Sequence, residues 1–388
     1  MFGGPANAAG WVFQPTVALG ASYSDNYTLS PNLERSVLRS GVSGELGLSR
    51  LTDSTTLTGL FRADFAVLSG DDEGLDDNQN QLLTLNYVNK RERHEFGVDS
   101  FIKHDSLIRS VDIVVDPDDV TIEPDADVDD GLEREVNVER FRFFVNPKWT
   151  HRFTELTNVG AEYRLSNTQY DDAGTTDLFE FSNHFFSTGF SRRVTERDRI
   201  TGAADATLFR ASDVDREYDS FALAGGLEHN FTETLQGRVN VGVRTTSFDV
   251  EGDSGDDTGV TFRVDGTKRT GLTIFSGRIQ RSLRPSGSGD VVESDELVLN
   301  VSRRLTELIS FSLRTRLFEN ESLQSVASDA NRRFFSFSPR LRWNISRWWS
   351  VDTNYRYRRS KRFNEPESSE DNTAFVSLNY SKPTQIAQ

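Results

Sequence analysis

The chain has 388 residues, of which 36% are hydrophobic and 27% charged, and its formal charge is −16. No run approaches the ~18 apolar residues that a spanning helix requires, which excludes transmembrane helices, and 60 acidic against 44 basic residues speak against a nucleic-acid partner. The 28 Phe, 9 Tyr and 5 Trp argue for an ordered chain, while the absence of Cys removes thiolate metal sites, thiol nucleophiles and disulfides together.

Residues 1–10 show no periodicity and are expected to form a periplasmic N-terminal segment. Met1, Phe2, Gly3 and Gly4 lack the charged start and apolar run of a secretory leader, so export implies a leader already removed. From Trp11 to Tyr380 the pattern is period two. In the first segment Val17, Leu19, Ala21 and Tyr23 fall on one face, and Thr16, Ala18, Gly20, Ser22 and Ser24 on the other. Phe141, Phe143, Val145, Pro147 and Trp149 likewise oppose Arg140, Arg142, Phe144, Asn146 and Lys148. Further on, Val239, Val241 and Val243 oppose Arg238, Asn240, Gly242 and Arg244, and Phe311, Leu313 and Leu317 oppose Ser310, Ser312, Arg314 and Arg316. Near the end Phe335, Phe337, Pro339, Leu341 and Trp343 oppose Ser336, Ser338, Arg340, Arg342 and Asn344. A soluble sandwich alternates in the same way, so strands alone do not choose the architecture.

The connections choose it, because two kinds take turns. One is short and repeats an apolar residue, Thr and an acid: Leu51-Thr52-Asp53, Phe153-Thr154-Glu155, Val194-Thr195-Glu196, Phe231-Thr232-Glu233 and Leu305-Thr306-Glu307. Variants fall near Arg91, Lys268 and Arg347, and the series recurs roughly every 40 residues with one wider gap. The other kind is longer, acidic and rich in Gly, Ser and Asn, at 25–34, 69–79, 105–135, 171–177, 212–219, 249–259, 285–296, 319–332 and 363–373. Short turns at one end and long loops at the other predict an all-β, antiparallel up-and-down transmembrane barrel of about eighteen strands, a single domain over residues 11–380. Trp11, Trp149, Trp343, Trp348 and Trp349 all fall on the short-turn side, as a periplasmic aromatic girdle would. Residues 381–388 are expected to be a C-terminal tail.

Trp11, Pro15, Gly20, Tyr23, Ser24, Asp25 and Asn26 give the opening strand a pattern that resembles the β-barrel porin type 2 group of outer-membrane barrels. That group includes barrels encoded beside exosortase systems and exopolysaccharide synthesis clusters. The resemblance covers this strand as residues and most of the chain as architecture. It implies a bacterial outer-membrane location and a role in passing or retaining a surface polysaccharide, and it transfers no catalytic residue. One departure is that Tyr380, the aromatic that closes the last strand, is followed by eight more residues, whereas such barrels usually end on an aromatic.

Lysine occurs only at Lys90, Lys103, Lys148, Lys268, Lys361 and Lys382, and the other basic residues are arginine. Arg140, Arg142, Arg164, Arg238, Arg244, Arg263, Arg314, Arg316, Arg340, Arg342, Arg356 and Arg358 occupy the polar phase of their strands and are expected to line the lumen. They either guide an anionic solute by bidentate bonding or pair with wall carboxylates such as Glu45, Asp64, Asp99, Glu162, Asp205, Asp265 and Asp352. The 105–135 loop carries Asp116, Asp118, Asp119, Glu123, Asp125, Asp127, Asp129 and Asp130, but Asp130 and Val136 stand where a calcium loop needs Gly and Glu. No EF-hand is expected, although divalent-ion contact with lipopolysaccharide and constriction of the pore both suit a loop of this length.

His94, His104, His151, His184 and His229 are scattered and form no metal or triad spacing, so neither an enzyme nor a metal or other cofactor is expected. The first functional expectation is a passive export conduit for a surface exopolysaccharide, served by periplasmic export machinery. The second is a general or anion-selective porin for small solutes, and the third a structural or adhesive barrel with an occluded lumen. In each case the partners are outer-membrane lipid, lipopolysaccharide and the barrel assembly machinery.

Overall fold

The computed structural model describes residues 10–71, 78–106, 138–171, 178–212, 214–250, 253–286, 291–323 and 331–386. The strands are β1 (Trp11–Ser24), β2 (Val37–Leu51), β3 (Thr55–Gly70), β4 (Asn78–Lys90), β5 (His94–Ser106) and β6 (Glu139–Arg152). They continue with β7 (Thr157–Tyr170), β8 (Phe181–Arg193), β9 (Asp198–Ala211), β10 (Arg216–Asn230), β11 (Leu235–Val250) and β12 (Asp253–Thr270). The rest are β13 (Thr273–Pro285), β14 (Val291–Arg304), β15 (Ile309–Ser322), β16 (Arg332–Asn344), β17 (Trp349–Arg362), β18 (Ser369–Ser381) and the short β19 (Thr384–Ile386).

Each strand pairs antiparallel with the next, and β1 pairs on one side with β2 and on the other with β18, from Thr16↔Ser381 to Ser24↔Thr373. The sheet is therefore a closed eighteen-strand barrel. Closure has a physical cause: backbone N–H and C=O groups inside a bilayer find no water, so a sheet with an open edge cannot cross it. The side chains agree. Thr16, Ala18, Ser22 and Ser24 on β1 point inward and are buried, while Val17, Leu19 and Tyr23 face out and stay about half exposed. Val239, Val241 and Val243 on β11 and Phe221 and Leu223 on β10 continue the same outward apolar belt. No helix among the described residues is long and apolar enough to span a membrane.

The strands run further than the sequence suggests. The 249–259 segment, expected as a loop, is mostly strand, because the β11–β12 ladder continues up to Val250↔Asp253. The ends of the 105–135, 212–219, 285–296, 319–332 and 363–373 segments likewise belong to strands. Ladder hydrogen bonds do not stop at the membrane surface, whereas the apolar signal does. At the C-terminus Thr384, Gln385 and Ile386 of the expected tail pair with Phe13, Val12 and Trp11.

The repeated turn threonine has a defined task. The Oγ1 of Thr52, Thr154, Thr195, Thr232 and Thr306 accepts the backbone N–H three residues on, at 2.9, 3.0, 2.9, 3.0 and 3.0 Å. Ser346 does the same for Trp349 at 3.3 Å. These side chains close the short turns locally, and the apolar residue before them (Leu51, Phe153, Val194, Phe231, Leu305) remains exposed. In the β12–β13 turn Gly271 takes φ +52°, a left-handed conformation that favours glycine. Replacing any one of the five turn threonines with Ala is expected to lower stability by about 1 kcal/mol, and Thr→Ser to lower it less, in urea unfolding of vesicle-inserted protein.

Candidate functional site: the inner wall

Strand register assigns every described wall residue to one of two faces, because directly opposed residues share a face. The inward row that includes Thr16 and Glu45 also includes Arg62, and at the next strands Lys103, Arg142 and Thr168 lie opposite one another in turn. The register puts all twelve arginines singled out in the sequence on this inner phase. It does not leave them as an open ladder of charge.

They gather around shared carboxylates. Asp105 lies within 2.9 Å of Arg140, 3.1 Å of Arg142 and 3.1 Å of Lys103. Asp352 receives Arg340 at 2.8 Å and Arg342 at 3.0 Å, and Asn379 donates to it at 2.7 Å. Glu296 holds Arg284 and Arg316 at 2.7 and 2.6 Å. Asp265 holds Arg263 and Arg278 at 2.7 and 2.9 Å, and Glu228 holds Arg238 and Arg199 at 3.3 and 3.8 Å. Further ion pairs join Arg62 to Glu45, Arg164 to Glu162, Lys148 to Asp99 and Arg358 to Asp371. Arg314 lies opposite Asn300 and Ser338 with no ion pair among the described residues, and Arg356 lies opposite Thr373. Arg244 departs from the pattern, since it bonds two carboxylates, Asp257 and Glu293.

Several members of these clusters were not legible as wall residues. Asp105, Glu296 and Asp371 fall inside segments read as loops, and Lys103, Arg199, Arg278 and Arg284 lie in strands whose alternation the sequence shows only weakly. The signal that could have found them is the same period-two phase, extended past the last apolar residue of each strand.

Solvation varies around the wall as well as along it: on β16–β18 Asp352, Arg342 and Asn379 are buried near the short turns, whereas β6, β11 and β12 carry a solvated zone. Toward the short-turn end the side chains of Lys148, Arg238 and Arg263 are almost half exposed. Toward the loop end Arg140, Arg142, Arg284, Arg358 and Asp371 are buried. There residues 26–30 fold into the mouth: the Asn26 side chain bonds Ser30 N and O at 3.1 and 2.9 Å, and Leu29, with φ 51°, packs against Phe318 and Phe334. The Ser24 hydroxyl hydrogen-bonds Asp371, and Asp25 accepts Asn372 N and Nδ2 at 2.7 and 2.8 Å. Residues 24–26 of the opening pattern thus fasten the β1–β18 closure and line the mouth.

The apolar phase also inverts at this end. Tyr170, Phe181, Phe209 and Tyr218 point inward and pack with Val138, Leu178 and Val291 into one buried cluster. On the outer face at the same level stand Arg210, Glu217 and Asp219, with Arg210 2.7 Å from Asp219. Above the hydrocarbon the outside is water, so the polar side turns out as in a soluble protein.

The five tryptophans lie at the short-turn end. Trp149, Trp343 and Trp349 face outward and are partly exposed, while Arg50 lies 5.4 Å from the Trp11 ring and Arg347 4.6 Å from the Trp348 ring. Of the histidines, His104 meets Glu139 and Asp171 on the outer face, with ligand atoms within 4.8 Å of one another, a grouping that sequence spacing did not reveal. The acidic residues of the 105–135 loop beyond residue 106 lie outside the described residues.

A closed barrel with an outward apolar belt, an ion-paired inner wall and tryptophans at one rim defines a bacterial outer-membrane β-barrel. Among solved structures it is similar to Acinetobacter baumannii OccAB3, with a TM-score of 0.51 at 10% identity over 96% of this chain and 99% of that one. It is also similar to Pseudomonas aeruginosa OccK2 (OpdF), solved in complex with glucuronate, with a TM-score of 0.50 at 11% identity over 96% and 98%. At such identities the likeness is one of fold. No family model matches the sequence, and neither does any curated protein.

Buried and exposed ion pairs make unequal demands on stability. Asp352 is 1% exposed, so Asp352→Ala strands two arginines and is expected to cost ~3–5 kcal/mol. Removing the exposed Arg333–Glu319 pair by Arg333→Ala is expected to cost under ~1 kcal/mol. Urea unfolding in vesicles, followed by tryptophan emission, measures both.

Proposed function

We propose that the protein is an outer-membrane channel for small solutes, with a preference for anions such as carboxylates. The observation that carries this is the ratio of charges in the wall clusters. Among the described residues Asp105 faces three cations, and Glu228, Asp265, Glu296 and Asp352 face two each. A lumen walled by low-dielectric protein focuses that excess into a positive potential, although the chain as a whole is acidic. In the solvated zone Arg238, Arg263 and Arg278 offer guanidinium groups to a passing carboxylate, while Glu228 and Asp265 keep them oriented. The glucuronate in the OccK2 structure is a small carboxylate of the class this wall would favour.

Export of a surface polysaccharide rests on the resemblance of the opening strand alone. A wide polymer path fits poorly with a mouth into which residues 26–30 fold and whose lining is buried.

Reversal potentials in planar bilayers under a KCl gradient are expected to show anion preference, and Arg238→Gln/Arg263→Gln/Arg278→Gln is expected to reduce it severalfold. Cation preference in the parent, or unchanged selectivity in the triple variant, contradicts the assignment. In liposome swelling, glucuronate is expected to enter faster than uncharged glucose. Entry of long dextrans at comparable rates would instead favour the polymer conduit.

A further inference from the structure

The wall between β12 and β13 is not a continuous ladder. Pairing runs from Thr270↔Thr273 to Phe262↔Arg281 and ends there. Residues 253–261 of β12 remain paired to β11, and residues 282–285 of β13 remain paired to β14. Among the described residues nothing on the backbone joins these two stretches to each other.

Side chains join them, in a way that reveals how the wall is arranged. Arg244 lies opposite Ala222 and Gly259 on the inner phase, whereas Glu293 lies opposite Leu283 on the outer phase. Nevertheless Arg244 Nη2 lies 2.7 Å from Glu293 Oε2, and its Nη1 lies 2.7 Å from Asp257. An inner and an outer residue meet only if the top of the β13–β14 hairpin leans into the lumen, so that its outer face looks onto the inner face of β11 and β12. The apolar contacts say the same: Phe248 and Val250 from the inner phase of β11 share a cluster with Leu283 from the outer phase of β13. Gly259 makes the crossing possible, since a Cβ there would stand 2.7 Å from the Arg244 guanidinium. Arg281 completes the joint, 3.4 Å from Glu293 and 2.7 Å from Asp295.

This lapped joint begins at the upper edge of the apolar belt. Val241, Val243 and Val260 still face lipid below it, and Thr245, Ser247 and Asp249 follow above. Just inside lies the buried aromatic cluster of Phe181, Phe209 and Tyr218, against which Phe248, Val250 and Leu283 of the joint pack. We propose that the β12–β13 lap is a lateral portal: parting the Arg244–Glu293 contact separates Leu283 from Phe248 and Val250, exposes the edge of that cluster and opens a path by which an apolar chain passes onto it from the outer leaflet. Three carboxylates, Asp257, Glu293 and Asp295, face two arginines at its rim, which selects a neutral or cationic headgroup and disfavours an anionic one. The passage is separate from the aqueous route of the channel and uses different residues.

The chain has no Cys, which makes a direct test clean. Phe248→Trp places a reporter on the inner face of the lap, and the native tryptophans at the other end of the barrel supply a constant background. In this protein Arg244→Cys/Glu293→Cys removes the contact, and a short bis-maleimide restores a covalent one. With bromododecanol in the vesicles, reporter quenching is expected to be stronger by about twofold or more in the unbridged than in the bridged protein. Equal quenching in the two forms overturns the portal. Bromododecanoate at pH 8 is expected to quench less than bromododecanol, and equal quenching overturns the headgroup assignment. Should the double variant fail to assemble, as judged by heat-modifiable gel mobility, Gly259→Val unseats the same arginine. It is expected to raise quenching above the Phe248→Trp protein, and no rise overturns the proposal.

Discussion

The backbone hydrogen bond inside hydrocarbon is the constraint on which the rest of this molecule depends. A peptide group that loses its partner in a bilayer has no water to turn to, so the sheet must return to its first strand. Here β18 meets β1 over nine residue pairs. The contacts of Ser24 with Asp371 and of Asp25 with Asn372 fasten that junction at the loop end. At the other end Trp11, Val12 and Phe13 pair with residues beyond β18. Once closure is fixed, inside and outside are defined, and every side chain acquires one of two environments.

What those environments are changes with height. In the membrane zone the outer phase is Val, Leu and Phe and the inner phase is Arg, Glu and Asp. At the extracellular end the same strands turn Phe181, Phe209 and Tyr218 inward and Arg210 and Asp219 outward. One rule produces both arrangements, since apolar area leaves water wherever water is. The result is a barrel that behaves as an inverted protein in the bilayer and as an ordinary one above it. The mouth can therefore be narrowed by an apolar cluster while the inner wall below it keeps its charged side chains.

The charge economy of the wall follows from burial. A guanidinium that keeps its charge in a confined wall needs a carboxylate nearby, and cross-strand neighbours supply one. Sharing one carboxylate between two arginines leaves positive charge over within such a cluster. At the lap the ratio is reversed, with Arg244 between Asp257 and Glu293.

The sequence by itself determined the strands, the two classes of connection, the strand number and the end at which the tryptophans sit. These are local or periodic properties: period-two alternation at Val17, Leu19 and Tyr23, and the threonine that bonds the N–H three residues on, do not depend on distant partners. It also put Arg140, Arg342 and their companions on the polar phase. Only the tertiary structure decided which carboxylate each one meets, because Arg140 and Asp105 are 35 positions apart and Arg244 and Glu293 are 49 apart. It alone decided that strands outrun the membrane at Asp105, Glu296 and Asp371, where no apolar residue marks the face. The β12–β13 lap was invisible to pattern for the same reason. Alternation assigns a residue to a face, but whether two strands stay in one wall depends on the packing of residues that only closure of the barrel brings together.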